Sequence, residues 1–248
     1  MRTQAPHIVE CFALLLLAST LPAAADGPAP ADPYRYSPPP ADEYNWSGIY
    51  LGGRVGAGTA AWDWQASNPL ERILQRGDSA EAGAQLGVQK QWNSLLLGVE
   101  ASYTWGDLGA SSNSAVVPGA TRVADLSNLL MVAGRFGVTW QNYLAYTEVG
   151  YASAEIAFRS SAAGTVLASS SAWEPGWVVG LGIEYAIRPD ITIGVGYDYI
   201  HFNAGLRDQV ATPTGVASGV SGSVEVQSVL ARMNFKFVPG WLESAPFR

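Results

Sequence analysis

An eight-stranded antiparallel transmembrane β-barrel is the fold that this sequence predicts, and three observations predict it. Apolar and small or polar residues alternate with period two from Asn45 to Phe237, the mark of strands whose two faces meet different surroundings. Long connections and tight ones take turns between the alternating stretches, the rhythm of barrels that cross a bilayer. Aromatic residues gather near both ends of the candidate strands, where an amphipathic ring suits the boundary between hydrocarbon and water.

The composition agrees. Of 248 residues, 48% are hydrophobic and only 14% charged, with 27 glycines, yet the mean hydropathy is close to zero. Alternation produces that balance, whereas continuous apolar helices would raise it. The formal charge of −7 disfavours nucleic acid as a partner, because a surface that binds phosphate needs clustered Lys and Arg.

Residues 1–25 read as a signal peptide. Phe12 to Leu21 form a short apolar core followed by Pro22-Ala23-Ala24-Ala25, small residues of the kind a signal peptidase accepts, with cleavage placed after Ala25. Roughly ten apolar residues fall short of the ~20 that a spanning helix needs. Cys11 lies inside this segment and is the chain's one cysteine, so the exported protein would hold together without disulfides. Residues 26–44 are rich in proline and poor in aliphatic side chains, which predicts a periplasmic linker.

The barrel is expected over 45–237. Its second candidate strand is the clearest: Ala80, Ala82, Ala84, Leu86 and Val88 interleave with Glu81, Gly83, Gln85, Gly87 and Gln89. In the third, Leu95, Leu97, Val99, Ala101, Tyr103 and Trp105 oppose Gly98, Glu100, Ser102 and Thr104. The sixth sets Trp177, Val179, Leu181, Ile183 and Tyr185 against glycines and Glu184; the seventh sets Ile191, Ile193, Val195, Tyr197 and Tyr199 against Thr192, Gly194, Gly196 and Asp198. Strands one (46–58), four (124–140), five (143–157) and eight (223–237) keep the same phase. Stretches 59–78, 107–123, 158–172 and 204–222 read as long outer loops, rich in Ser, Ala, Gly or Asn. Asn93-Ser94, Gln141-Asn142 and Arg188-Pro189-Asp190 read as tight turns, which places both termini in the periplasm. Residues 238–248 follow as a periplasmic tail.

If the apolar face meets lipid, parity turns Arg54, Glu81, Glu100, Arg135, Glu148, Glu184, Asp198 and Arg232 into the lumen. Eight strands leave an interior only wide enough for side chains to fill, so these charges are expected to pair, three arginines among five acids, with glycine rows making room. As a plug they rigidify the barrel; as a filter or proton path their negative excess would favour cations.

Catalysis finds little support in the sequence, and no cofactor or metal is expected. His201 is the only histidine after residue 25, on the lipid-facing parity, and a hydrolase built on it would need a serine that loop composition cannot single out. Neither a phosphate-binding glycine loop in its strand-to-helix context nor a Cys/His metal spacing occurs.

Asn45-Trp46-Ser47-Gly48-Ile49-Tyr50-Leu51-Gly52-Gly53 resembles the opening of the alphaproteobacterial outer-membrane porin/opacity-type β-barrel family, related in architecture to the OmpA membrane domain. Gly134-Arg135-Phe136-Gly137, Tyr146-Thr147-Glu148-Val149-Gly150, the run Gly176 to Ala186, Gly196-Tyr197-Asp198-Tyr199 and Arg232 to Phe237 also fit. The resemblance covers 45–237. It implies an outer-membrane location, lipid and lipopolysaccharide as surroundings, and assembly by the outer-membrane insertion machinery with Phe237 as the C-terminal signal. Such chains commonly end at that aromatic, whereas this one runs on for eleven residues. The expected function is a structural, surface-exposed protein of the cell envelope; the alternative is a small, weakly cation-selective porin. A soluble barrel with its apolar face inward fits less well, since Glu81, Arg135 and Glu184 among so many glycines would make an odd exterior.

Overall fold

The computed structural model describes residues 43–67, 70–115, 118–206 and 220–239. They form nine antiparallel strands: β1 (Gly48–Ser67), β2 (Leu70–Trp92), β3 (Leu95–Gly106), β4 (Ala110–Asn113), β5 (Ala120–Trp140), β6 (Tyr143–Ala162), β7 (Thr165–Arg188), β8 (Ile191–Leu206) and β9 (Val220–Phe237). β3 and β4 both pair with β5, so they are two pieces of one barrel strand. The ring therefore closes through eight strands, as the alternation predicts.

The register sets the width. Stepping across the pairs from Gly106 leads through Glu81, Gly56, Leu230, Gly196, Gly182, Tyr146 and Gly137 back to Leu96 on the starting strand. That stagger of ten residues, with ~3.3 Å per residue and ~4.7 Å between strands, tilts the strands by roughly 40° around a backbone cylinder of roughly 8 Å radius. Side chains projecting inward from opposite walls meet at the axis.

Outward residues between the aromatic rows are apolar and exposed, among them Leu51, Val55, Leu86, Val99, Val132, Val149, Leu181, Val195, Val229 and Phe235. Below them Trp140 stacks on Tyr143 at 5.6 Å and Tyr143 meets Tyr185 at 4.8 Å. Above, Tyr103 meets Trp105 at 5.2 Å and Trp177 meets Tyr199 at 5.6 Å. Two girdles bound a lipid-facing band.

The strands do not stop at the upper girdle. They are 16 to 24 residues long apart from the β3/β4 pair, against the ~9–11 needed to cross hydrocarbon. Most of the stretches expected as outer loops over 59–78 and 158–172 are strand, and the hairpin between β6 and β7 is only Ala163-Gly164, both at positive φ. The expected loop 107–123 contains β4 and the start of β5, and of 204–222 only the two strand ends lie within the described residues. The reason lies in what surrounds each level. In β1 the inward positions change from Tyr50, Gly52 and Arg54 to Ala60, Trp62 and Trp64, while the outward ones change from Leu51 and Val55 to Asp63 and Gln65. Parity is kept and polarity reversed, because outside the bilayer the wall faces water and the inside must supply the apolar core.

One β-bulge interrupts the β5–β6 ladder between Ser127 and Leu129, with Asn128 at φ 53°. The expected signal peptide, residues 1–25, and most of the Pro-rich stretch lie outside the described residues. Tyr44, at the end of that stretch, packs with the barrel: its N–H donates to Gln141 O at 3.3 Å and its ring lies 4.8 Å from that of Trp46.

Candidate functional site: the barrel interior

All eight charged side chains that parity directs inward are buried: Arg54, Glu81, Glu100, Arg135, Glu148, Glu184, Asp198 and Arg232. They fall into two groups. In the lower one Arg135, with no exposed surface, donates from Nη2 to Glu184 Oε1 at 2.6 Å and from Nη1 to Tyr50 Oη at 2.7 Å and Gln89 Oε1 at 3.2 Å. Arg232 donates from Nη1 to Tyr146 Oη at 2.7 Å and from Nη2 to Glu100 Oε2, and its Nε lies 3.3 Å from Glu184 Oε1. Tyr50 completes the circuit by donating to Glu100 Oε2 at 2.6 Å. Thr192 and Asn234 each donate to the other oxygen of Glu184 at 3.2 Å. Two guanidinium groups thus balance two carboxylates, and charge-assisted bonds satisfy most of their polar atoms.

The upper group is unbalanced. Arg54 donates from Nε to Thr104 Oγ1 at 3.1 Å and lies 3.4 Å from Asp198, so one cation shares this level with Glu81, Glu148 and Asp198. Glu81 Oε2 and Glu148 Oε2 have no hydrogen-bond partner among the described residues.

Two tyrosines that parity reasoning passed over tie the lower group together. The Arg135 guanidinium carbon lies 3.9 Å from the centroid of the Tyr146 ring and 5.5 Å from that of Tyr50, close enough for cation–π attraction. Glycines make room for both rings. A Cβ at Gly87, opposite Tyr50, would sit 2.3 Å from that phenol, and one at Gly182, opposite Tyr146, 2.4 Å from its hydroxyl. The available signal was an aromatic on the wet parity directly across from a glycine.

Below and above the charges apolar clusters dominate the interior, with Arg122 and Gln75 buried among the upper strands and Ser47 and Thr139 near the base. Trp46, Leu96, Leu144, Tyr146 and Ala186 form a seal at the base, with Tyr44 against it, and Lys236 Nζ stands 3.8 Å from the centroid of the Tyr44 ring. Toward the other end Trp62, Trp64, Ile73, Leu126, Ile156, Phe158, Ile200, Phe202, Val224 and Val226 belong to one continuous core. Trp62 and Trp64 stack at 5.4 Å, and Trp64 meets Phe158 at 6.1 Å. Trp62, Trp64, Ile73 and Phe158 lie within stretches read as loops, and the others sit at the outer ends of expected strands, so sequence reasoning missed the column they form.

On the outer wall above the girdle, Arg72 donates to both oxygens of Asp63 at 2.9 and 2.7 Å. That bidentate pair holds the Asp63 carboxyl below its ordinary range. His201 stacks on Trp177 at 5.6 Å, with Nε2 3.2 Å from Asn203 Oδ1. Phe237 ends β9 facing outward, 59% exposed, and pairs with Ile49.

The sequence profile of the outer membrane protein beta-barrel domain matches residues 11–222. The chain belongs to that family. It is an outer-membrane protein, similar to the 25 kDa outer-membrane immunogenic protein of Brucella abortus biovar 1 (strain 9-941), with 25% identity over 241 residues, covering 96% of this chain and all of the relative. Among solved structures this outer-membrane barrel resembles Neisserial surface protein A, at 16% identity over 77% of this chain and 98% of that one, TM-score 0.37. It also resembles the outer membrane protease OmpT of Escherichia coli, at 8% identity over 77% and 97%, TM-score 0.46.

Proposed function

We propose that this barrel is a structural, surface-exposed protein of the cell envelope, without catalytic activity, whose lumen is a filled support rather than a path for solutes. The observation that carries the reading is the stack of side chains inside it: an aromatic seal, a neutral quartet of two arginines and two glutamates, an acidic layer around Arg54, and a largely apolar column of tryptophans and aliphatic side chains. In a cylinder of roughly 8 Å radius such side chains occupy the space that a porin would give to water. The wall above the girdle then acts as a rigid post that presents its outer hairpins beyond the membrane surface. His201 is read as an interfacial residue, consistent with its stacking on Trp177. Lipopolysaccharide surrounds the post, and the insertion machinery engages the end of β9, where Phe237 is the proposed recognition residue.

Orientation is the testable part of the surface role. The chain has one cysteine, Cys11, so single cysteines at Val166, near the β6–β7 hairpin, and at Ser94, in the β2–β3 turn, report separately on the two ends. Intact cells treated with a membrane-impermeant maleimide are expected to label V166C and to leave S94C unlabelled until the outer membrane is permeabilised. Labelling of S94C alone would show that the hairpin end faces the periplasm.

A further inference from the structure

Above the upper girdle the outward face is mainly polar, and its exposed large apolar side chains include Leu74, Val166 and one tryptophan. Trp173 stands on the outer wall of β7, 52% exposed, four residues beyond the girdle residue Trp177. At a tilt of roughly 40° that places the indole about 10 Å above the girdle, past the hydrocarbon and in the layer of lipid head groups. Its outward neighbours on the strand, Ser171 and Pro175, and its diagonal neighbours on β6, Ser153 and Ala157, are all small, so among the described residues one flat apolar face is left clear on that side.

The residue directly across the ladder from Trp173 is Glu155, and its carboxylate is fixed from both sides. Ser171 Oγ donates to Oε1 at 3.0 Å, and Asn128 Nδ2 donates to Oε2 at 2.9 Å. Asn128 is the bulge residue at φ 53°, and Tyr103 in turn donates to its Oδ1 at 3.0 Å. A β-bulge re-aims the side chain at the inserted position, and here it aims an amide at a carboxylate beside an exposed indole. Each carboxylate oxygen accepts one bond and keeps capacity for a second.

We infer that Trp173 and Glu155, with Ser171 and Asn128, form a docking site for a pyranose ring, namely a core sugar of the lipopolysaccharide in the same leaflet. The chemistry matches on two edges. The C–H face of a pyranose is apolar and stacks on an indole, an arrangement that buries area at little entropic cost because the ring is rigid. Its equatorial hydroxyls donate outward in the ring plane, where the held carboxylate accepts them without first having to be ordered. A tryptophan serving only as a lipid anchor would sit in the girdle, not among serines above it. The choice of lipopolysaccharide as the source rests on the proposed orientation; the pairing of indole and carboxylate does not.

The test uses the full barrel refolded in zwitterionic micelles, with acyl-free core oligosaccharide from rough lipopolysaccharide as probe and maltoheptaose as comparison, both titrated calorimetrically. Wild type is expected to bind the core oligosaccharide at least tenfold more tightly than maltoheptaose. Trp173→Ala is expected to weaken that binding at least tenfold, Trp173→Phe by less, and Glu155→Gln by about threefold or more, with the heat-dependent gel shift unchanged in every variant. Equal, Trp173-dependent binding of both sugars would support the site and reassign its source to glycans at large. Absence of binding in wild type, or binding that Trp173→Ala leaves untouched, would overturn the inference. Soluble probes reach either end of the barrel, so this outcome does not depend on the labelling result.

Discussion

Arg135→Ala is expected to destabilise the barrel by about 3–5 kcal/mol, the usual cost of removing one partner from a buried ion pair. Arg135 anchors four groups at once: Glu184, Tyr50 and Gln89 through hydrogen bonds and Glu100 at 3.5 Å. Without it Arg232 alone faces two buried carboxylates, and a void opens beside Tyr146. Arg135→Lys should recover little, because a point charge cannot bridge partners that lie in different directions around a planar fork. Substitutions at the carboxylates should diverge in sign. Glu100→Gln removes a partner of Arg232 and Arg135 and lowers stability. Glu148→Gln replaces a carboxylate that has an unpartnered oxygen, in a level with three acids and one arginine, and is expected to leave stability unchanged or raise it. Urea titration in phospholipid vesicles, followed by the gel mobility of the folded form, measures all four. A loss on Glu148→Gln equal to that on Glu100→Gln would contradict the division into a balanced and an unbalanced group.

Trp64→Ala carries a comparable cost, about 3–5 kcal/mol for truncating a buried aromatic, but it should act locally. Trp64 is packed between Trp62 and Phe158 in the part of the wall that faces water on its outside. There the apolar column substitutes for the bilayer as the reason the strands stay paired. The variant is expected to keep its heat-resistant membrane band while the strand segments above the girdle become open to protease and to hydrogen exchange. Trp64→Phe should be milder, since the indole N–H has no acceptor among the described residues and its removal forfeits no bond. If Trp64→Ala leaves the upper wall as protected as in wild type, the column is not what holds it.

Where the sequence was legible, the bilayer made it so. Lipid on one side and a narrow lumen on the other impose a polarity contrast at each residue, so parity alone directs Arg54, Arg135 and Arg232 inward and places Trp140, Tyr143 and Tyr185 in a row. Above the girdle the same parity persists with reversed polarity, and a rule tuned to apolar-outward strands reads Ala60, Trp62, Asp63 and Trp64 as loop. The lower charge group was legible as a set of charges but not as a circuit. Tyr50 and Tyr146 act there as hydrogen-bonding and cation–π partners, which depends on the stagger that brings Arg135 of β5 to Tyr50 of β1 across the lumen. Asn128 and Glu155 escaped notice for a related reason: a bulge displaces one residue from the alternation, and no periodic pattern marks where it falls.

The measurement that tests the filled lumen most directly is planar-bilayer conductance of the refolded protein, wild type beside Glu100→Gln and Arg135→Gln. A heat-modifiable, inserted barrel that gives no discrete current steps is the predicted result. Stepwise, cation-selective currents that change in the two variants would show water running through the charged layer and would replace the closed support with a small pore.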